Sequence, residues 1–136
     1  MIRELAERTT SRAALYKAHY GDLAGRFDRR TWCAEESGEV VGTATIGPPR
    51  DDFGPWVGEV YELRVNPAHR RRGVGSALHD TVVRTWRDLG ITVGVLELRA
   101  DDQAREFYES HGWTPDGHTR QSLDGTRYLR LRRAIN

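Results

Sequence analysis

The segment HRRRGVGSAL, residues 69–78, carries residue types that can bind a phosphorylated ligand. Gly73 and Gly75 stand one residue apart after three arginines, between a predicted strand and a predicted helix. Glycines at this spacing let successive backbone N–H groups point into one concavity, and the N-terminus of the following helix adds partial positive charge there. The segment therefore predicts a phosphate seat, although a plain strand-to-helix turn with a basic face would use the same residues.

Two other phosphate-binding loops are excluded by the same residues. A P-loop needs a lysine followed by Ser or Thr after its last glycine, and this segment has no lysine. A dinucleotide-binding loop needs a third glycine at the position where this chain has Leu78. Such a loop also follows the first strand of its βαβ unit, which this segment does not. Neither pattern is present.

The elements that must position this seat form a mixed α/β (α+β) pattern. Alternating and β-branched residues over 59–65 predict a strand that stops at Asn66-Pro67, and apolar spacing over 77–89 predicts a helix that stops at Gly90. The other predicted elements are a hairpin over 32–46, a strand over 91–99, a helix over 102–110, and two strands over 117–135 about Asp124-Gly125. Residues 2–20 predict one or two short helices and no strand.

Composition restricts the function classes. A chain of 136 residues with 38% hydrophobic and 30% charged positions is expected to form a single domain over residues 1–136, and its net charge of +1 gives no general attraction to nucleic acid or to an anionic membrane. The single cysteine, Cys33, excludes an internal disulfide and a CxxC metal site, and its strand context predicts a buried thiol. No apolar run reaches the ~18 residues of a membrane span, and the charged N-terminus is unlike a signal peptide. We expect a cytoplasmic protein without a metal.

From Trp32 to the C-terminus the chain resembles the GNAT superfamily of N-acetyltransferases. Four landmarks occur in order: the hairpin WCAEESGEVVGTATI, the segment GEVYELRVNPAHRRRGVGSAL, the segment VLELRADDQAREFYESHGW, and a closing hairpin. Residues 70–75 fit the family signature Arg/Gln-x-x-Gly-x-Gly/Ala. The resemblance implies the acyl-CoA N-acyltransferase fold, a mixed central sheet flanked by helices, with a V-shaped opening between two parallel central strands at 59–65 and 93–99. Family members usually begin with a strand and a helix. We find no leading strand here, so we expect the first strand to be either lost or truncated, and the partner in a homodimer could supply that edge.

The resemblance also implies a co-substrate, acetyl-CoA. Backbone amides of residues 71–76 would hold its pyrophosphate, residues 63–65 would offer backbone groups to the pantetheine arm, and the Val65 N–H would polarise the acetyl carbonyl. Asp101 stands where the family often has Asn, and it can cap the next helix but cannot donate a hydrogen bond when ionised. The implied cofactor-binding residues are Leu63, Arg64, Val65, Arg70, Arg71, Arg72, Gly73, Val74, Gly75, Ser76, Asp101 and Tyr108.

Three residues are candidates for proton transfer. Tyr108 occupies the family's general-acid position, where a phenol would protonate the departing thiolate, although an aromatic packing residue fits the same helix. The acceptor amine must lose a proton, and Glu59 is the first candidate for its base, with Glu62 second and a base elsewhere or water alone as the remaining alternatives. Strand alternation places Glu59 on one face with Tyr61, Leu63 and Val65, and it turns Glu62 the other way unless a bulge intervenes.

The predicted function is transfer of an acetyl group to a primary amine of a small molecule or peptide. We expect a cationic or neutral amine near Glu59 and the acidic loop with Asp51 and Asp52, which also fits a solvated loop tip. A binding module that keeps the cofactor without turnover is the main alternative. A nucleic-acid module would rest on Arg64 and residues 70–72, and the absence of interleaved aromatic residues argues against it.

Overall fold

A computed structural model of the chain describes residues 1–5, 29–51 and 53–136. These residues form seven strands, two α-helices and one turn of 3₁₀ helix. The strands are β1 (Ile2–Glu4), β2 (Arg30–Glu36), β3 (Glu39–Gly47), β4 (Val57–Val65), β5 (Val93–Arg99), β6 (Thr114–Gln121) and β7 (Arg127–Ala134). The helices are α1 (Val74–Leu89), α2 (Ala104–Ser110) and the 3₁₀ turn Pro67–His69.

The strands make one mixed sheet in the order β1-β2-β3-β4-β5-β7-β6. β4 and β5 run parallel, and every other neighbouring pair is antiparallel. Both hairpins, the parallel crossover through α1 and the mixed α/β class are confirmed. The sequence accounts for two of these connections. The two-residue turn at Ser37-Gly38 joins β2 to β3 with positive φ at both positions, and α1 ends on the left-handed Gly90.

The expectation that the leading strand is missing is wrong. Ile2, Arg3 and Glu4 pair antiparallel with Ala34, Cys33 and Trp32 of β2. Ion pairs flank this short edge, Arg3 to Glu35 at 2.5 Å and Arg30 to Glu4 at 2.7 Å. The prediction of helix over residues 2–20 therefore fails at its start, because pairing with β2 overrides the weak local pattern. Its remainder, residues 6–20, lies outside the described residues.

The core lies between the sheet and α1. We call the face of the sheet that packs on α1 the helix face. The α1 side chains buried against it include Trp86, Leu78 and Val82. Trp86 sits beneath the paired glycines Gly58 of β4 and Gly94 of β5. A Cβ added at either glycine would overlap the Trp86 ring. These glycines thus let a buried tryptophan lie directly under the two parallel strands.

The parallel strands separate after a short paired stretch. Pairing of β4 with β5 runs from Val57↔Val93 to Val60↔Leu96 and ends there, although β4 continues to Val65. At the same point a register shift on the other side of β4 leaves Tyr61 as an extra residue, because Thr45 pairs with Glu62 and Ile46 with Val60. A bulge of this kind bends its strand and increases its twist. The opening that the resemblance implied is therefore present.

Candidate active site

The phosphate seat, residues 71–76, has the backbone geometry of an anion site. Arg71 and Gly73 both adopt left-handed conformations, with φ of 64° and 81°. The first helical bond of α1 runs from the Ala77 N–H to the Gly73 carbonyl. The N–H groups of Val74, Gly75 and Ser76 therefore have no partner within the helix. Gly73 offers no side-chain cap, so these donors remain available to a ligand.

Charge at the seat includes a contribution from the β2–β3 hairpin that the sequence did not reveal. Glu36 at the end of β2 lies 3.6 Å from Arg72 and 3.7 Å from His69. Arg70 and Arg71 form no ion pair with the described residues, and all three arginines are exposed. Two guanidinium groups are thus free to turn toward an anion, while the third is partly neutralised.

The opening between β4 and β5 forms a cleft of about 290 Å³. The Asn66 N–H donates to the Val41 carbonyl of β3, so strand alternation directs the backbone groups of Arg64 to β3 as well. Leu63 and Val65 then direct their backbone N–H and C=O groups into the cleft, where β5 no longer pairs with them. Of the three residues 63–65, two can offer backbone groups to an extended ligand.

Tyr108 lines the cleft from the helix side, carried by α2. Its ring packs edge-on against Phe107 at 5.4 Å and Trp113 at 5.9 Å, and only 7% of the residue is exposed. Among the described residues its hydroxyl has no hydrogen-bond partner. Burial, with a smaller contribution from the Asp102 charge, raises the pKa of Tyr108 to about 12. The phenol therefore keeps its proton throughout the physiological range.

The bulge changes the predicted arrangement of the two glutamates. Because Tyr61 is the extra residue, Glu59 and Glu62 lie on the same face of the sheet, opposite the helix face. Leu63 lies on the helix face with Val60, since Ala44 and Ile46 are their partners. The predicted common face of Glu59, Leu63 and Val65 is thus wrong, for a reason that strand alternation alone does not contain.

Of the two glutamates, Glu62 lines the cleft and Glu59 does not. Glu59 is 5% exposed, and Arg50 contacts both of its carboxylate oxygens, through the backbone N–H at 3.0 Å and through Nε at 2.7 Å. Glu62 accepts a hydrogen bond from the Thr43 hydroxyl at 3.0 Å, and its side chain is 42% exposed. Glu62 thus combines a position in the cleft with access to solvent.

Two other predicted acidic sites look different in the structure. The capping role considered for Asp101 is taken by its neighbour, because Asp102 accepts the Ala104 N–H at 2.8 Å, while the exposed Asp101 carboxylate lies 3.3 Å from Arg99. Asp102 lines the cleft and Asp101 does not. Asp51 lies 3.8 Å from Arg130 and is not an isolated carboxylate. Its predicted companion Asp52 lies outside the described residues.

The described residues contain neither a helix that could cross a bilayer nor a metal-binding group. No helix in these ranges is both long enough and apolar enough to span a membrane. Within the same ranges, His, Cys, Asp and Glu side chains form no group of three or more that could hold a metal ion.

Comparison with known proteins identifies relatives. A sequence profile of the acetyltransferase (GNAT) family matches residues 2–113. N-acetyltransferase 8 of Rattus norvegicus is 32% identical over 112 residues, which cover 81% of this chain and 49% of that protein. Mycothiol acetyltransferase of Saccharomonospora viridis is 44% identical over 69 residues, 47% of this chain and 22% of that protein. The chain thus spans about half or less of the length of these relatives.

Solved structures show the same fold. The chain superimposes on a crystal structure of aminoglycoside 6'-N-acetyltransferase complexed with coenzyme A with a TM-score of 0.74 and 16% identity. The superposition covers 100% of this chain and 97% of that one. At this identity the likeness concerns the fold alone.

Proposed function

The chain belongs to the acetyltransferase (GNAT) family, and from that membership we propose that it transfers the acetyl group of acetyl-CoA to a primary amine of a small molecule or peptide. One observation carries the proposal. The cleft between β4 and β5 has a protonated phenol, Tyr108, on the helix side and a solvent-accessible carboxylate, Glu62, on the opposite face. Acyl transfer from a thioester to an amine needs an acid for the sulfur and a base for the nitrogen.

The residues present fit acetyl-CoA. The free N–H groups of Val74, Gly75 and Ser76 suit its pyrophosphate, with Arg70 and Arg71 adding charge-assisted hydrogen bonds. The backbone groups of Leu63 and Val65 suit its amide-containing arm, which would bind like an added strand. Acetyl-CoA supplies the thioester, and the Val65 N–H is then the donor expected to polarise the acetyl carbonyl.

Proton transfer divides between the two faces of the sheet. As the amine attacks the acetyl carbon, the C–S bond breaks, the nitrogen loses a proton and the sulfur gains one. Tyr108 is the proposed donor to sulfur, and its raised pKa ensures that the proton is present while making the phenol a weaker acid than free tyrosine. Glu62 is the proposed acceptor of the amine proton.

Glu59 remains the second candidate for the base. It would have to act through water or after Arg50 moves, because Arg50 occupies both of its carboxylate oxygens. Its contacts instead support a role in holding the β3–β4 loop, since the Arg50 backbone N–H donates to it. This difference in surroundings supports Glu62 over Glu59, reversing the order expected from spacing alone.

The test is release of free coenzyme A from acetyl-CoA in the presence of an amine panel. The panel should include aminoglycosides and the amine acceptor of mycothiol acetyltransferase, because relatives carry those names. N-terminal peptide amines complete it. We expect amine-dependent release by the wild-type chain. Release that is absent with every amine, although coenzyme A binds, would favour a cofactor-binding module without turnover.

A matched pair of variants tests the location of the phosphate seat. Gly73→Glu puts a negative charge into the seat at a left-handed residue, and we expect coenzyme A affinity to fall at least about tenfold. Gly117→Glu makes the same change on β6 at φ of 89°, also in open space and far from the cleft, and should leave affinity unchanged. Equal coenzyme A binding by both variants would contradict the assignment.

A further inference from the structure

A cluster of aromatic and hydroxyl side chains between α1 and α2 is not used by the proposed chemistry. Ser76 of α1 and His111, the residue after α2, form its centre, with the Ser76 hydroxyl 3.0 Å from His111 Nε2. Phe107 and His79 surround the His111 ring, with centroid distances of 4.2 Å and 4.7 Å. The cluster lies directly behind the phosphate seat, because Ser76 is the last residue of that seat.

The direction of the Ser76–His111 hydrogen bond follows from its neighbours. His111 Nδ1 lies 2.7 Å from the Phe107 carbonyl oxygen, which can only accept, so Nδ1 carries the proton. Nε2 of the neutral ring is then an acceptor, and the Ser76 hydroxyl donates to it. The hydroxyl is therefore directed toward α2 and away from the open side of the seat.

His111 is itself held firmly in place. Its ring stacks on Phe107 with an interplanar angle of 30°, and Arg133 of β7 donates from Nε to the His111 carbonyl at 2.7 Å. His79 on the other side is buried and accepts a hydrogen bond from Trp113 Nε1 at 2.9 Å. Contacts from α1, α2 and β7 thus hold His111 Nε2, the acceptor of the Ser76 hydroxyl, in place before any ligand binds.

A second contact ties the first turn of α1 to α2. A Cβ added at Gly75 would lie 3.2 Å from Phe107, so the Gly75 backbone packs closely against that ring. Two consecutive residues of the seat, Gly75 and Ser76, are therefore anchored to α2. Their N–H groups are among those with no partner in the helix, so this anchoring sets the direction in which they point.

We propose that His111 is a positioning residue of the phosphate seat, which acts through the Ser76 hydroxyl to orient the N–H groups that bind the pyrophosphate of coenzyme A. The inference rests on the proposed function, because it assumes that the seat binds a pyrophosphate. A site whose N–H groups are already held in the binding geometry binds its ligand more tightly, because less conformational entropy is lost on binding.

The experiment compares coenzyme A affinity with the kinetics of acetyl-pantetheine, a donor that lacks the pyrophosphate. Ser76→Ala removes the hydroxyl that donates the hydrogen bond to His111. His111→Phe keeps an aromatic ring stacked on Phe107 but removes both ring nitrogens. We expect each to weaken coenzyme A binding about fivefold, the scale of one neutral hydrogen bond, and the double variant to be no weaker than either single one. The KM and kcat for acetyl-pantetheine should stay unchanged.

Two further variants control for folding and chemistry. His111→Gln restores a polar group near the position of Nε2 and should recover most of the affinity. Thr85→Val removes a hydroxyl that bonds only to the Thr81 carbonyl further along α1, and it should change nothing.

Three results would overturn the inference. Losses that add in the double variant would show that Ser76 and His111 act independently. A loss for Ser76→Ala with none for His111→Phe would mean that the hydroxyl contacts the phosphate itself. Parallel losses with acetyl-pantetheine would indicate a general structural role. Wild-type protein that binds no coenzyme A would refute the proposed function instead, a result separate from all three.

Discussion

His79 should make the stability of the fold depend on pH in the mildly acidic range. Its side chain is 3% exposed, and its Nε2 accepts the Trp113 indole N–H. Burial, with the nearby His111 and Arg133 adding in the same direction, lowers the pKa of His79 from 6.5 to about 4. Between about pH 4 and pH 6.5, His79 is therefore neutral in the folded protein but protonated in the unfolded chain.

The sign and size follow from linkage. The contribution of neutral His79 is fully present above pH 6.5 and is lost as the pH falls through the folded value of about 4. With about 1.36 kcal/mol for each pKa unit, the free energy of unfolding should fall by about 2 kcal/mol at pH 5 and by about 3 kcal/mol at pH 4. Such a loss is a large part of the stability of a domain of this size.

Urea denaturation at about pH 7.5 and about pH 5 measures this loss. His79→Gln keeps an acceptor for Trp113 but does not titrate, so its stability should fall about 2 kcal/mol less than that of the wild type between the two pH values. His118→Gln, which changes an exposed histidine on β6, should behave like the wild type. Equal pH dependence of the wild type and His79→Gln would refute the reasoning.

Three other predictions concern the paired glycines, the phenol and the glutamates. Gly58→Ala should lower the free energy of unfolding by roughly 1–3 kcal/mol because its Cβ overlaps the buried Trp86 ring, and a loss below about 0.5 kcal/mol in urea denaturation would contradict this packing. Because burial raises the pKa of Tyr108 to about 12, Tyr108→Phe should remove almost no tyrosinate absorbance at about pH 10.5, whereas loss of about three-quarters of one tyrosinate signal, as for an ordinary tyrosine, would contradict its burial. Glu62→Gln should lower kcat/KM near neutral pH roughly 10- to 100-fold with partial recovery at higher pH, whereas Glu59→Gln should chiefly lower stability; the opposite assignment in pH–rate profiles would make Glu59 the base.

Local backbone chemistry explains which parts of the fold could be predicted. The turn at Ser37-Gly38 and the helix end at Gly90 both need positive φ, and a glycine at each place predicts that conformation. The left-handed turn before α1 was predictable for the same reason, since Gly73 and the following helix lie next to each other along the chain.

Features that depend on distant parts of the chain could not be predicted. β1 has only three residues and exists through pairing with β2. The bulge at Tyr61 depends on the register with β3, and it decides which face Glu62 occupies. The contacts of Glu59 with Arg50 arise across a loop, and no spacing rule assigns them. These three features account for the added first strand, for the common face of Glu59 and Glu62, and for the burial of Glu59.

The early end of β4–β5 pairing leaves a short backbone seam between the two halves of the sheet. In the described ranges, the strand pairing between β4 and β5 consists of four residue pairs, Val57↔Val93 to Val60↔Leu96, and the Trp56 carbonyl just before β4 adds backbone hydrogen bonds from Thr92 and Val93. Amide hydrogens of Leu63 and Val65, which lie beyond that seam, should exchange rapidly with water. A ligand bridging the cleft would join the halves into one cooperative unit, so deuterium uptake would slow even in β6, at the far rim of the sheet.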